Sequence, residues 1–165
     1  MMKLDMINGW SSEEAIAKLL SCCACVAWAK SMALRRPFIT EQHLFEAADE
    51  QWQSLTEKDW LEAFAAHPRI GAKKIEDDSK HGQWARNEQA GMSKAGDQLR
   101  LEMAQLNHDY YERFGFVFLI CATGKSADQM LMQLRRRITL ERSEEIANAA
   151  REQGKITKIR LEKLL

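Results

Sequence analysis

Neither sign of charge is in excess in this chain: Lys plus Arg number 24, and so do Asp plus Glu. With the formal charge at zero, there is no general electrostatic reason to expect nucleic acid or an anionic membrane as partner. No apolar run approaches the roughly 18 residues of a membrane-spanning helix. The N-terminal MMKLDMINGW lacks the apolar stretch of a signal peptide, so a cytoplasmic protein is expected. There the four cysteines, Cys22, Cys23, Cys25 and Cys121, should stay reduced. The Cys22-Cys23-x-Cys25 run has none of the common zinc spacings, and within a helix its thiols would point in different directions, so structural thiols are expected rather than a metal centre. Internal repeats, low-complexity stretches and interdomain linkers are missing too. What remains is a composition 45% hydrophobic and 29% charged over 165 residues. That is normal for a soluble globular protein, and the length fits one domain, 1–165, with one ordinary core.

The pattern along the chain is helical. Ser11-x-x-Glu14 has the form of a capping box, and Ile16, Leu19, Leu20, Cys23, Val26 and Ala27 follow at helical spacing. This predicts one helix to about Leu34, before Arg36-Pro37 stops it. Thr40 caps a second helix with Leu44, Phe45, Ala48 and Trp52 on its inner face. Thr56 with Asp59 opens a third, with Trp60, Leu61, Phe64 and Ala65 as its stripe, which Pro68 forces to end near His67. Residues 69–83 turn polar and charged and read as a mobile surface loop. A fourth helix is predicted from about Ser93 to Arg113, with Leu99, Met103, Leu106 and Tyr110 in register. Ser126-x-x-Gln129 opens another, carrying Met130, Leu131, Leu134 and Ile138. A last helical region runs from about Leu140 to the end, with a bend near Gly154. Only 114–122, FGFVFLICA, has strand character, and one such run cannot make a sheet. The expected fold is all-α, a bundle of about six to eight helices with one short extended segment near 114–122.

Several residues carry chemical possibilities beside plainer ones. His67 lies between a helix end and a proline. The macrodipole there favours its protonated form, which suits proton transfer near neutral pH; a histidine capping its own helix is the alternative. Glu88-Gln89 sets a carboxylate beside an amide, a pair able to recognise urea-like N–H and C=O groups, or else a polar helix turn ending at Gly91. If 114–122 is extended without a neighbouring strand, its backbone groups need partners, either a polar heterocycle or side chains and water. Ala122-Thr123-Gly124-Lys125-Ser126 is not a phosphate-binding loop, because the required first glycine is replaced by Leu119 and no βαβ pattern surrounds it. Arg135-Arg136-Arg137, followed by Glu141, Glu144 and Glu145, reads as a solvated, ion-paired face. Arg160 sits within the stripe Ile156-x-x-Ile159-Arg160-Leu161-x-x-Leu164. It either holds a carboxylate in a concave site or packs its stem while its head reaches water.

Taken in order, these segments resemble one family. Ala66-His67-Pro68-Arg69-Ile70-Gly71, Glu88-Gln89-Ala90-Gly91-Met92, Glu112 to Ala122, Gly124-Lys125-Ser126 and Ile156-x-x-Ile159-Arg160-Leu161 are similar to the OHCU decarboxylases, with Trp28 and Arg36-Pro37-Phe38 extending the match towards the start. The resemblance implies an all-α, usually dimeric enzyme without metal or organic cofactor. Such an enzyme converts 2-oxo-4-hydroxy-4-carboxy-5-ureidoimidazoline (OHCU) to (S)-allantoin in the last step of urate breakdown. It implies that His67 is catalytic together with Glu88, that Glu88 and Gln89 contact the ureido and ring groups, and that Pro68 lines the pocket. Backbone groups of Phe118, Leu119, Ile120, Cys121 and Ala122 would bind the ring, and Arg160 would bind substrate. Many relatives place a serine three residues before the glutamate; here that position is Ala85. Two other classes fit parts of the sequence: a related lyase or hydrolase on another ureido or purine-derived substrate, and a non-enzymatic helical interaction module. The module would not need the ordered His, Glu-Gln, FGFxF and Arg set.

Overall fold

The computed structural model describes residues 2–70 and 96–165. Among them are eight helices and no strand: α1 (Met2–Gly9), α2 (Ser12–Cys22), α3 (Val26–Leu34), α4 (Glu41–Gln53), α5 (Glu57–Ala65), α6 (Asp97–Phe114), α7 (Ala127–Arg137) and α8 (Arg142–Leu164). The all-α expectation holds. Two compact units divide the chain, one formed by Met1–Ala63 with Gly154–Leu165, the other by Phe64–Gln153.

In the first unit the single helix predicted from Ser11 to Leu34 is two. Ser11 caps α2, accepting the Glu14 N–H at 3.1 Å. The chain then turns extended at Cys23 and Cys25 before α3 begins. Apolar spacing runs straight through this break, so periodicity alone could not reveal it. The exposed helix ends find partners from distant sequence instead: Glu62 accepts the Val26 N–H at 2.7 Å, supplying the cap that Cys25 does not. Thr40 caps α4, accepting the His43 N–H at 3.0 Å. Thr56 and Asp59 bond reciprocally at the start of α5, where Ala63 rather than Ala65 is the buried alanine. The helix α1 carried no sequence signal beyond Leu4 and Ile7, which are both buried. Arg36 fastens it, donating to Ile7 and Trp10 carbonyls at 3.1 and 2.7 Å and to Ala33 at 3.0 Å. A guanidinium among carbonyls at two helix C-termini is favourable on both counts, hydrogen bonding and dipole.

The second unit is built on α6, which buries Met103, Asn107, Tyr110 and Phe114. It ends at Gly115 with φ +83°, a left-handed conformation that glycine adopts without a Cβ clash. The chain then leaves helix altogether until Ser126, whose side chain completes a full capping box with Gln129 at the start of α7. Phe116, Phe118, Leu119, Ile120, Cys121 and Ala122 are all buried. Tyr110 packs its ring against Phe114, Phe116 and Phe118, with centroids 4.6, 5.8 and 5.5 Å away. The stiff aromatic cluster explains how an apolar, strandless segment is held. Helix α8 runs unbroken through Gly154. An added Cβ there would meet only ordinary contacts with Trp52 and Asp49 at 3.8 and 4.0 Å, so no close approach demands the glycine.

The arginine triplet is not one solvated face. Arg135 pairs with Glu102 at the surface, but Arg137 is buried against Glu145. All four cysteines are buried thiols in no disulfide. Burial raises the Cys23 and Cys25 thiols above their ordinary range, which disfavours the reactive thiolate. None of the four described tryptophans is exposed.

Candidate functional site

His67 lies two residues beyond the end of α5 at Ala65. Its N–H donates to the Phe64 carbonyl at 3.1 Å, closing the last turn, and Pro68 prevents another. The imidazole is only 8% exposed. Its Nε2 lies 2.6 Å from the side-chain oxygen of Gln153, 86 residues away in α8. An amide oxygen can only accept, so this contact places a proton on Nε2 and defines the tautomer of the neutral ring. The residues that follow are held from α6. Asn107 donates to the Ile70 carbonyl at 3.2 Å, and the Arg69 guanidinium lies over the Tyr111 ring at 5.2 Å. Half-buried Pro68 sits between these anchors.

Gln153 was not singled out from sequence, although a signal existed. It falls on the buried stripe of α8, after Ile146, Ala149 and Ala150 and before Ile156, and it is wholly buried. A long amide in such a stripe demands a specific partner, because leaving it unpaired would cost about 1–3 kcal/mol. Replacing it with leucine keeps the bulk and removes the acceptor. Gln153→Leu is expected to lower kcat about tenfold while KM changes little. Steady-state kinetics check this; an unchanged kcat would mean that the contact does not position the ring.

The extended segment divides its backbone groups. The Leu119 carbonyl accepts from Arg137 Nη1 at 2.8 Å, the Cys121 N–H donates to Glu152 at 3.1 Å, and the Cys121 carbonyl accepts from Lys125 Nζ at 2.8 Å. The Ala122 carbonyl accepts the Lys125 N–H in a turn through Gly124. Among the described residues, the backbones of Phe118 and Ile120 make no hydrogen bond. Successive residues of an extended chain direct their N–H and C=O groups to opposite edges. One edge, at 119 and 121, therefore has three of its four groups met by side chains. The other, at 118 and 120, carries polar groups in a buried stretch and suits a planar ligand with donors and acceptors along its rim. The side-chain alternative raised for this segment thus holds at 119 and 121.

Consecutive residues of α8 connect these two parts, Glu152 holding Cys121 and Gln153 holding His67. The predicted pair, Glu88 and Gln89, lies outside the described residues, as do Ala85 and residues 71–83 of the predicted loop, whose first two residues, Arg69 and Ile70, are packed against α6 rather than on a mobile surface. Arg160 belongs to the other compact unit. It is 0% exposed, so its head does not reach water, and its Nη1 donates to the Cys22 carbonyl at 3.4 Å, at the C-terminus of α2. Among the described residues, no group of three His, Cys, Asp or Glu could hold a metal ion.

Comparison with known proteins bears on what such a site does. A family model described as OHCU decarboxylase matches residues 8–162. The "Uric acid degradation bifunctional protein TTL" of Arabidopsis thaliana is 34% identical over 146 residues, covering 87% of this chain and 45% of that protein. The chain thus spans less than half the length of such bifunctional relatives. The 2-oxo-4-hydroxy-4-carboxy-5-ureidoimidazoline decarboxylase of Amia calva is 30% identical over 171 residues, covering 99% of this chain and 95% of the relative. Among solved structures, one of OHCU decarboxylase in the presence of (S)-allantoin superimposes with a TM-score of 0.78 at 32% identity, over 94% of this chain and 98% of that one.

Proposed function

Because the chain belongs to the OHCU decarboxylase family, we propose that it converts OHCU to (S)-allantoin and CO₂ in urate breakdown, with His67 handling the proton. The observation that carries this reading is the buried His67–Gln153 pair, joined through α8 to the segment whose Phe118–Ile120 edge has hydrogen-bonding groups to spare. The chemistry asks for little more. As the carboxylate leaves as CO₂, its bonding electron pair passes into the ring C=N system and the ring nitrogen takes up a proton; the hydroxyl carbon becomes a carbonyl as its O–H proton is lost, and the carbon bearing the ureido group gains a hydrogen. The substrate supplies its own electron sink, so neither metal nor organic cofactor is required. What a protein adds is orientation of the carboxylate out of the ring plane and delivery of a proton to one face.

In this reading Gln153 keeps Nε2 protonated, and proton exchange runs through Nδ1 of His67. The ring lies along the 118–122 segment with Pro68 beside it. Glu88 assists His67 and, with Gln89, contacts the ureido arm. The same membership supports a cytoplasmic homodimer acting on a small molecule, with no part for nucleic acid or membrane. Release of CO₂ from freshly generated, carboxyl-labelled OHCU tests the reaction class. Rapid labelled CO₂ supports decarboxylation, whereas loss of the ureido group with the carboxylate retained would favour a related hydrolase.

A further inference from the structure

A buried polar cluster adjoins the 118–122 segment, and the chemistry above makes no use of it. Glu145 is 0% exposed. One of its oxygens accepts from Tyr110 Oη at 2.5 Å and from Arg137 Nε at 2.9 Å; the other accepts from Asn148 at 2.7 Å. Burial, reinforced by Glu145, raises the Tyr110 hydroxyl well above its ordinary range, so it stays protonated and donates. Arg137 in turn gives Nη1 to the Leu119 carbonyl at 2.8 Å and lies over the Phe118 ring at 4.6 Å. Its remaining nitrogen, Nη2, is buried and has no hydrogen-bond partner among the described residues.

As a source of stability this is a poor arrangement. Desolvation offsets much of a buried pair's attraction, an apolar pair of similar volume often does as well, and an orphaned donor adds a further cost. What an apolar pair could not do is grip one particular carbonyl and one ring face at once. Those two belong to neighbouring residues, Leu119 on the protein-facing edge and Phe118 on the opposite one.

We propose that Arg137, held in place by Glu145 and Tyr110, is a positioning residue of the reaction, fixing Leu119 and Phe118 so that the Phe118–Ile120 edge meets the substrate ring in register. This rests on the reading that the segment binds the ring. Arg137 itself touches no substrate. Its guanidinium fork spans Glu145 and Leu119, a span that a lysine ammonium cannot reproduce.

The test is Arg137→Lys in the full chain, with Tyr110→Phe as a milder companion that leaves the ion pair and the ring packing in place. Four quantities are read: KM and kcat for OHCU, the Kd of (S)-allantoin by calorimetry, and Tm. For Arg137→Lys, KM and Kd are expected to rise together by about 10- to 100-fold, with kcat falling less because His67 and Gln153 are untouched. Tyr110→Phe should move KM and Kd the same way, by roughly three- to tenfold. A merely structural cluster would lower Tm and leave KM and Kd of the folded protein where they were, which would overturn the proposal. If the unsubstituted protein neither binds (S)-allantoin nor turns over OHCU, the decarboxylase reading fails, and the positioning role fails with it. If it does both and the two variants match it, the positioning role alone is wrong.

Discussion

His67→Asn is expected to lower turnover of OHCU by about 10²- to 10⁴-fold, the range lost with a positioned general acid or base. The fold should survive. His67 sits after the end of α5, its backbone bond to Phe64 does not depend on the ring, and its neighbours are held independently by Asn107 and Tyr111. Affinity for (S)-allantoin should survive in part, since the ring-binding edge at Phe118 and Ile120 is separate from the imidazole. The variant also separates the roles of His67 and Gln153. With the imidazole gone, a further Gln153→Leu change should cost little more activity, because a positioning residue has nothing left to position. Near-normal turnover in His67→Asn would remove the central role assigned to this residue, and additive losses in the double variant would give Gln153 a part of its own.

Glu145→Ala is expected to be the most destabilising single change in the Phe64–Gln153 unit, by about 3–5 kcal/mol, because it strands the buried Arg137 guanidinium without its counter-charge. For a chain of this size that is a fall in Tm of roughly 6–20 °C. The Tyr110 hydroxyl and the Asn148 amide lose their acceptor in the same step. Pairing Glu145→Leu with Arg137→Met, so that neither charge remains, should recover most of the lost stability but not the affinity for (S)-allantoin. Thermal unfolding of the single and double variants checks the first statement, and calorimetry the second. A loss below about 1 kcal/mol for Glu145→Ala would mean that the cluster is hydrated enough to tolerate a free charge.

What could be read in advance, and what could not, follows from how far each signal reaches along the chain. The caps at Ser11, Thr40, Thr56 and Ser126 are local, decided within three or four residues, and all four open helices. Pro68 likewise fixed where α5 must end. The break at Cys23–Cys25 was illegible, because the groups that satisfy its helix ends, Glu62 and Arg160, come from the distant sequence. Arg137 misled for the same reason: beside Arg135 and Arg136 it looks solvated, and only the fold brings it against Glu145 and the Leu119 carbonyl. His67 and the 118–122 segment stood out by type and setting. Their partners Gln153 and Glu152 did not, since a polar residue on a helical stripe declares a need without naming what will meet it.

The proposed activity has a stereochemical signature: one enantiomer of allantoin from OHCU. OHCU should be generated from urate by the two upstream activities, this protein added, and the optical activity of allantoin followed by circular dichroism. The account predicts rapid appearance of the (S) enantiomer alone, lost in His67→Asn. Decay at the unaided rate to racemic allantoin would contradict it and would show that this member of the family has put the site to another use.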